Sequence, residues 1–176
     1  GILVDAETPL RLRESDHPWV SRGGIKLAHA LDHFQIEPKG LICADIGAST
    51  GGFTDVLVTR EAQRIYAVDV GHGQLDWRLR QNRNIVVLER TNARYISNAE
   101  IPDAIDLITC DVSFIGLEKI LPASLALSAK NASLIALIKP QFEVGRHQVG
   151  KGGIVNNEEL HHEVCSRICN WINSLS

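Results

Sequence analysis

Asp45-Ile46-Gly47-Ala48-Ser49-Thr50-Gly51-Gly52-Phe53-Thr54 follows a short apolar run, residues 41–44, and leads into a helix-like segment, residues 53–62. A strand, a glycine-rich turn and a helix are what a nucleotide-type ligand needs at the end of a parallel sheet. Glycines let backbone approach a ligand closely and adopt dihedrals that a Cβ would forbid. The spacing matches neither G-x-G-x-x-G nor G-x-x-x-x-G-K-[ST], so the dinucleotide and phosphate-loop patterns are both incomplete. Instead an acid, Asp45, precedes the first glycine by two positions, and a second acid, Asp69, closes the next apolar run. Acids suit a ligand with a positive centre and free ribose hydroxyls, and suit a phosphate badly. S-adenosylmethionine, with a sulfonium, an amino group, a ribose and no phosphate, fits that description.

The rest of the chain repeats the alternation. Nearly continuous apolar runs predict strands at 41–46, 64–70, 85–89, 105–111 and 133–139, and helical spacing predicts helices at 53–62, 74–80, 117–129 and 158–173. Ser21 is expected to cap a first helix running to about Phe34, and Asn157 the last. The expected fold class is therefore α/β, a Rossmann-like, doubly wound and mainly parallel sheet, with C-terminal strands lying beyond this sequence. At 176 residues the chain suffices for one such domain. Residues 1–19, with two prolines and mixed charge, read as a linker, and 20–176 as the domain. The absence of methionine fits a segment of a longer product.

Composition narrows the function classes. No apolar run approaches the ~20 residues that span a bilayer, and no signal-peptide pattern appears. Cys43, Cys110, Cys165 and Cys169 form no C-x-x-C pair and read as reduced core thiols of a cytoplasmic protein. His161, Cys165 and Cys169 share one helix face without a partner pair, so a buried thiol face is expected there and no metal. Eighteen basic against 21 acidic residues give a net charge of −3, so nucleic-acid binding has to rest on local patches. Two exist: Arg22 and Lys26 at the start of the first helix, and Arg146 and Lys151 in a glycine-containing loop after the fifth strand. Both could grip phosphates, and ordinary solvated loops account for them equally well. Trp77, beside Arg78 and Arg80, reads as packing or as an edge contact with a ligand.

Asp45, Asp69, Asp111 and Lys139 each fall near the end of a predicted strand, the rim where open α/β sheets bind ligands. An acid and a lysine at one rim suit deprotonation of a weakly acidic hydroxyl. Free lysine has a pKa near ~10.4 and needs help to act as a base. Lys26 is the candidate second cation. The expectation is that Lys139 takes the proton of a ribose 2′-hydroxyl while Asp111 and Lys26 orient it.

Six ordered segments add a resemblance: SRGGIKLAHAL (21–31), DIGASTGGFTDVL (45–57), YAVDVGHGQLDWRLR (66–80), ERTNAR (89–94), DVSFIGLEKILPA (111–123) and LIKPQFEVGR with VGKGGIV (137–155). From about Val20 to Val155 the chain resembles the TlyA family of hemolysin-like proteins, which are similar to FtsJ-type 2′-O-ribose RNA methyltransferases. The resemblance implies methylation of cytidine 2′-hydroxyls in ribosomal RNA, a ribosomal subunit as partner, an N-terminal S4-type RNA-binding domain, and neither a membrane nor a metal. It also implies a Lys-Asp-Lys-Glu catalytic set. Lys26, Asp111 and Lys139 match its first three members, and the fourth, on a late strand, would lie beyond Ser176. Glu143 is not assigned to it. Implied cofactor contacts are Gly47, Ser49, Gly51, Gly52, Phe53 and Thr54 around the methionine part, Asp69 with Val70 at the ribose, and Asn92 and Asp111 beside them. Two other classes remain open: a membrane-active hemolysin, which would need a long basic amphipathic segment, and a nicotinamide-dependent oxidoreductase, whose ribose Asp69 would also suit.

Overall fold

Five apolar runs pair side by side as parallel strands in the order β3-β2-β1-β4-β5: β1 (Ile42–Ile46), β2 (Arg64–Val68), β3 (Ile85–Leu88), β4 (Ile105–Cys110) and β5 (Ser128–Ala136). The computed structural model describes residue 5 and residues 16–175, so most of the expected linker lies outside the described residues. Among the described residues six α-helices connect or flank the strands: α1 (Gly23–Phe34), α2 (Gly52–Thr59), α3 (Trp77–Arg80), α4 (Leu117–Leu125), α5 (Pro140–Glu143) and α6 (Glu158–Asn173). The chain steps outward from β1 through β2 to β3, then returns to β4 on the other side of β1. The reversal opens a crevice between the carboxyl ends of β1 and β4.

Alternation along each strand splits the core. Cys43, Ile65, Ala67 and Leu107 pack with Leu27 and Leu31 of α1, Val56 and Leu57 of α2, and Leu79 of α3. Ala44, Ile46, Tyr66, Val68 and Ile108 face the other way, against Leu117 and Leu121 of α4 and Val164 and Ile168 of α6. Each fully buried leucine or isoleucine contributes about 1.5–3 kcal/mol relative to exposure. This two-sided burial is why the strands read as unbroken apolar runs.

Several boundaries differ from the sequence expectations. Asn157 caps α6 as expected, its Oδ1 accepting from the N–H groups of Glu159 and Leu160. Ser21 does not cap α1; its carbonyl accepts from Gly24, and Arg22 occupies the N-cap position without a side-chain bond. The helix expected over 117–129 stops at Leu125, and β5 starts at Ser128 rather than 133. Ser128, Lys130 and Asn131 can be polar because β5 is an edge strand, with Lys130 and Asn131 exposed. Its register slips against β4, from Ser128 opposite Ile105 to Ser133 opposite Leu107. Pairing with β4, not local pattern, makes this stretch a strand.

Gly51 holds the N-cap position of α2 with φ +99°, and a Cβ there would lie 2.3 Å from Leu79 Cδ1 and 2.8 Å from Leu75 Cδ1. Backbone strain and overpacking therefore act together in Gly51→Ala. A stability loss of about 2–4 kcal/mol is expected in urea unfolding; a change below ~0.5 kcal/mol would contradict this packing.

Candidate active site

The turn after β1 is pinned by main-chain bonds, with the N–H groups of Gly47 and Ala48 both donating to Val68 O at 2.9 and 3.1 Å. Gly47 has φ +85°, and a Cβ would come within 3.0 Å of Val112 Cγ1 and 3.2 Å of Asp111 O. Only glycine lets the β1 and β4 ends approach this closely. Ser49 N–H then donates to Asp69 Oδ2 at 2.8 Å, and Gly71 N–H to Asp69 Oδ1 at 2.7 Å. Asp69 thus holds the β1 and β2 loops together, while each of its oxygens keeps a free lone pair.

Asp45 is not at the rim. It is 1 % exposed, and strand alternation turns it to the same face as Cys43, beneath α2. Thr54 Oγ1 donates to its Oδ2 at 2.6 Å and Thr109 Oγ1 to its Oδ1 at 3.1 Å. Burial raises its pKa from 3.8 to about 6, against the opposing pull of these hydroxyls. A raised folded pKa means that stability is fully present below about pH 4 and lost as pH rises through about 6, because the unfolded chain ionises more readily. Asp45→Asn should remove that loss. Relative to wild type it should gain on the order of 2–3 kcal/mol between pH 4 and pH 8 in denaturant unfolding; parallel pH curves would contradict this.

The ends of β4 and β5 bring together charges that are distant in sequence. Pro140 begins α5 and confines Lys139 to an extended conformation, φ −115°, which carries the lysine along the strand direction beside Asp111. Lys139 Nζ lies 2.5 Å from Asp111 Oδ1, an ion pair without hydrogen-bond alignment, and Lys26 Nζ of α1 donates to Asp111 Oδ2 at 3.0 Å. Lys139 Nζ also donates to Ser113 Oγ at 3.2 Å. Burial pushes the Asp111 carboxyl up, but the ammonium groups of Lys139 and Lys26 outweigh it and hold it below the ordinary carboxylate value.

Two cavities meet at this cluster. The first, about 470 Å³, carries Asp69, Val70, Gln74, Asn92 and Arg94 over apolar walls that include Val68 and Ile120. The second, about 300 Å³, carries Lys26, Lys139, Ser21, Gly23, Gly52 and Phe53. Gly47, Ser49, Asp111 and Ser113 line both. Cations of the cluster face only the second cavity, and the candidate ribose acid Asp69 faces only the first.

Among the expected cofactor contacts, Asp45, Gly51 and Thr54 line neither cavity: Thr54 is buried against Asp45, and Gly51 abuts Leu75 and Leu79. Asn92 Oδ1 accepts from Arg94 N–H, capping a single 3-10 turn over Ala93–Tyr95. Arg22, Arg146 and Lys151 are exposed and line neither cavity. Trp77 is exposed rather than packed. Cys43 and Cys110 are core thiols, which burial pushes up to about 12. Cys165 and Cys169 are instead exposed, because Val164 and Ile168 form the buried face of α6. His161 Nε2 lies 2.6 Å from Val155 O.

Sequence reading passed over Gln74, Ser113 and Phe114. Phe114 is 90 % exposed with φ +68°, its ring 5.1 Å from that of Phe142. A bulky residue in the left-handed region is strained and concentrates at functional sites. The signal available in sequence was position alone, directly after the Asp111 strand end.

A profile of the FtsJ-like methyltransferase family matches residues 19–175. The 16S/23S rRNA (cytidine-2′-O)-methyltransferase TlyA of Mycobacterium tuberculosis is 50% identical over 147 residues, covering 84% of this chain and 55% of that protein. Hemolysin A of Brachyspira hyodysenteriae is 44% identical over 150 residues, covering 83% of this chain and 61% of that protein. A solved structure described as a hemolysin from Streptococcus thermophilus superposes with a TM-score of 0.86 at 41% identity, covering 92% of this chain and 58% of that one. The chain thus spans somewhat more than half the length of these relatives.

Proposed function

Because the chain belongs to the FtsJ-like methyltransferase family, we propose that it transfers a methyl group from S-adenosylmethionine to the 2′-hydroxyl of a ribosomal RNA nucleotide, a cytidine as in the named M. tuberculosis relative. The observation that carries this reading is the division of labour between two adjoining cavities, acid and amide groups in one and two lysines in the other. The first is within the size range of small-molecule sites. Asp69 offers acceptors for ribose hydroxyls, the apolar walls suit an adenine, and the Asp111 carboxylate at the junction suits a positive sulfur. When bound there, the cofactor supplies an electrophilic methyl group on a sulfonium.

The chain's own residues then act on the acceptor. Lys26 and Lys139 draw the phosphate-flanked ribose into the second cavity. Asp111 holds both ammonium groups in place. Lys139, once neutral, would accept the 2′-hydroxyl proton at Nζ, leaving the ribose oxygen as the nucleophile for the methyl group that a bound cofactor would supply. Positioning and electrostatics supply the acceleration, since sulfonium is already a good leaving group. The exposed ring of Phe114 beside the junction offers a stacking face to the base of an unstacked nucleotide. Arg22, Arg146 and Lys151 are assigned to phosphates farther along the RNA.

Mass-spectrometric mapping of ribosomal RNA incubated with the full-length protein and methyl-labelled cofactor tests this. One or a few labelled 2′-O-methylcytidines are expected. Unlabelled RNA together with calorimetric binding of NADH would overturn the proposal in favour of an oxidoreductase, and leakage of liposomes by the pure protein in favour of a membrane-active one. No helix of the described residues is long and apolar enough to cross a membrane.

A further inference from the structure

We propose that Ser113 is a positioning residue that aims the lone pair of Lys139 into the acceptor cavity; this rests on the assignment of Lys139 as the base. A neutral lysine amine has a carbon substituent, two hydrogens and one lone pair in tetrahedral array. If nothing fixes those hydrogens, the amine rotates about its Cε bond and its lone pair points at the acceptor only part of the time. Here two acceptors wait for them. Asp111 Oδ1 lies 2.5 Å from Lys139 Nζ and Ser113 Oγ 3.2 Å away. With one hydrogen donated to Ser113 Oγ and the other drawn toward Asp111 Oδ1 by charge rather than by an aligned hydrogen bond, the lone pair takes the remaining direction. The Phe142 ring, its centroid 6.0 Å from Nζ, is no competing acceptor for an amine hydrogen at that distance.

The loop carrying Ser113 is fixed at both ends, as an aiming device requires. On one side Asp111 N–H donates to Ile46 O at 3.1 Å. On the other, Glu143 Oε1 accepts from Leu117 N–H at 2.8 Å at the start of α4, and Arg167 holds Glu143 through its carbonyl and carboxylate at 3.0 and 3.2 Å. Glu143 lies four residues after Lys139, so one carboxylate ties the loop bearing the base to the loop bearing Ser113. Between these anchors the left-handed backbone at Phe114 lets Ser113 face Lys139 while the next side chain faces solvent. Ser113 also lines both cavities, where methyl donor and acceptor would meet.

The test compares Ser113→Ala, Ser113→Thr, Lys139→Ala and the double variant Ser113→Ala/Lys139→Ala in the full-length protein, with ribosomal RNA as substrate. Loss of a hydrogen bond to the base should lower kcat about 10- to 100-fold in Ser113→Ala. RNA KM, calorimetric S-adenosylmethionine affinity and melting temperature should stay close to wild type, and threonine, which keeps the hydroxyl, should restore most of kcat. In the Lys139→Ala background the serine change should have no further effect, because its role acts through that amine. Wild-type kcat in Ser113→Ala, failure of threonine to rescue, a loss equally large in KM or cofactor affinity, or additive effects in the double variant would each overturn the proposal. Activity retained by Lys139→Ala would instead overturn the base assignment, so the two failures are distinguishable.

Discussion

Lys139→Ala is expected to lower kcat by about 10²–10⁴-fold, the range contributed by a positioned proton acceptor, while S-adenosylmethionine affinity stays within about twofold of wild type. The separation follows from geometry. Lys139 lines the cavity assigned to the acceptor and is absent from the cavity assigned to the donor. Arginine should not rescue, because a guanidinium stays protonated and has no lone pair to offer. Cofactor affinity comes from calorimetry and kcat from label incorporation. An equal loss in both would mean that Lys139 serves binding rather than proton transfer.

Asp111→Asn should be nearly as damaging. One carboxylate accounts for the placement of two lysines, at 2.5 and 3.0 Å, one just beyond β5 and one from α1. An amide of the same shape leaves the two ammonium groups unneutralised, and their repulsion displaces the base. A displacement of about 1 Å is enough for a ~10²-fold loss in kcat. The same substitution has a signature in stability. The folded pKa of Asp111 is depressed, so its stabilisation is present above the unfolded value of 3.8 and is lost as pH falls through the lower folded value. Wild type should therefore exceed the asparagine variant in urea unfolding near neutral pH, and the gap should close in acid. A gap that widens in acid would contradict the ion-pair geometry. This trend is opposite in sign to that expected at Asp45, where burial dominates.

The contrast between these two aspartates shows how far sequence alone reaches. Strands were legible because burial on both faces leaves unbroken apolar runs, and their ends were legible because polar residues and glycine interrupt them. The side on which a strand's last residues point was not. Asp45 sits one residue before the end of β1, and alternation turns it under α2 with Cys43, while Asp69 and Asp111 emerge beyond the ends of β2 and β4. The start of β5 was hidden because its first residues are polar edge positions that pair irregularly with β4.

Within the site, Asp111, Lys139 and Lys26 were visible as residue types at strand ends and on the first helix. The hydrogen bond from Lys139 to Ser113 was not. It links residues 26 apart in sequence and exists only because β4 and β5 are neighbours in the sheet. Phe114 was likewise hidden, since its exposure depends on a backbone conformation that its residue type disfavours.

A crystal structure of the protein with S-adenosylhomocysteine tests the central claim most directly. The adenosine should lie in the larger cavity with its ribose hydroxyls on Asp69, and the sulfur should reach the junction formed by Gly47, Ser49, Asp111 and Ser113. The cavity of Lys26 and Lys139 should stay open for a sugar alcohol. Adenosine bound among the two lysines, or a sulfur directed away from the junction, would contradict the account.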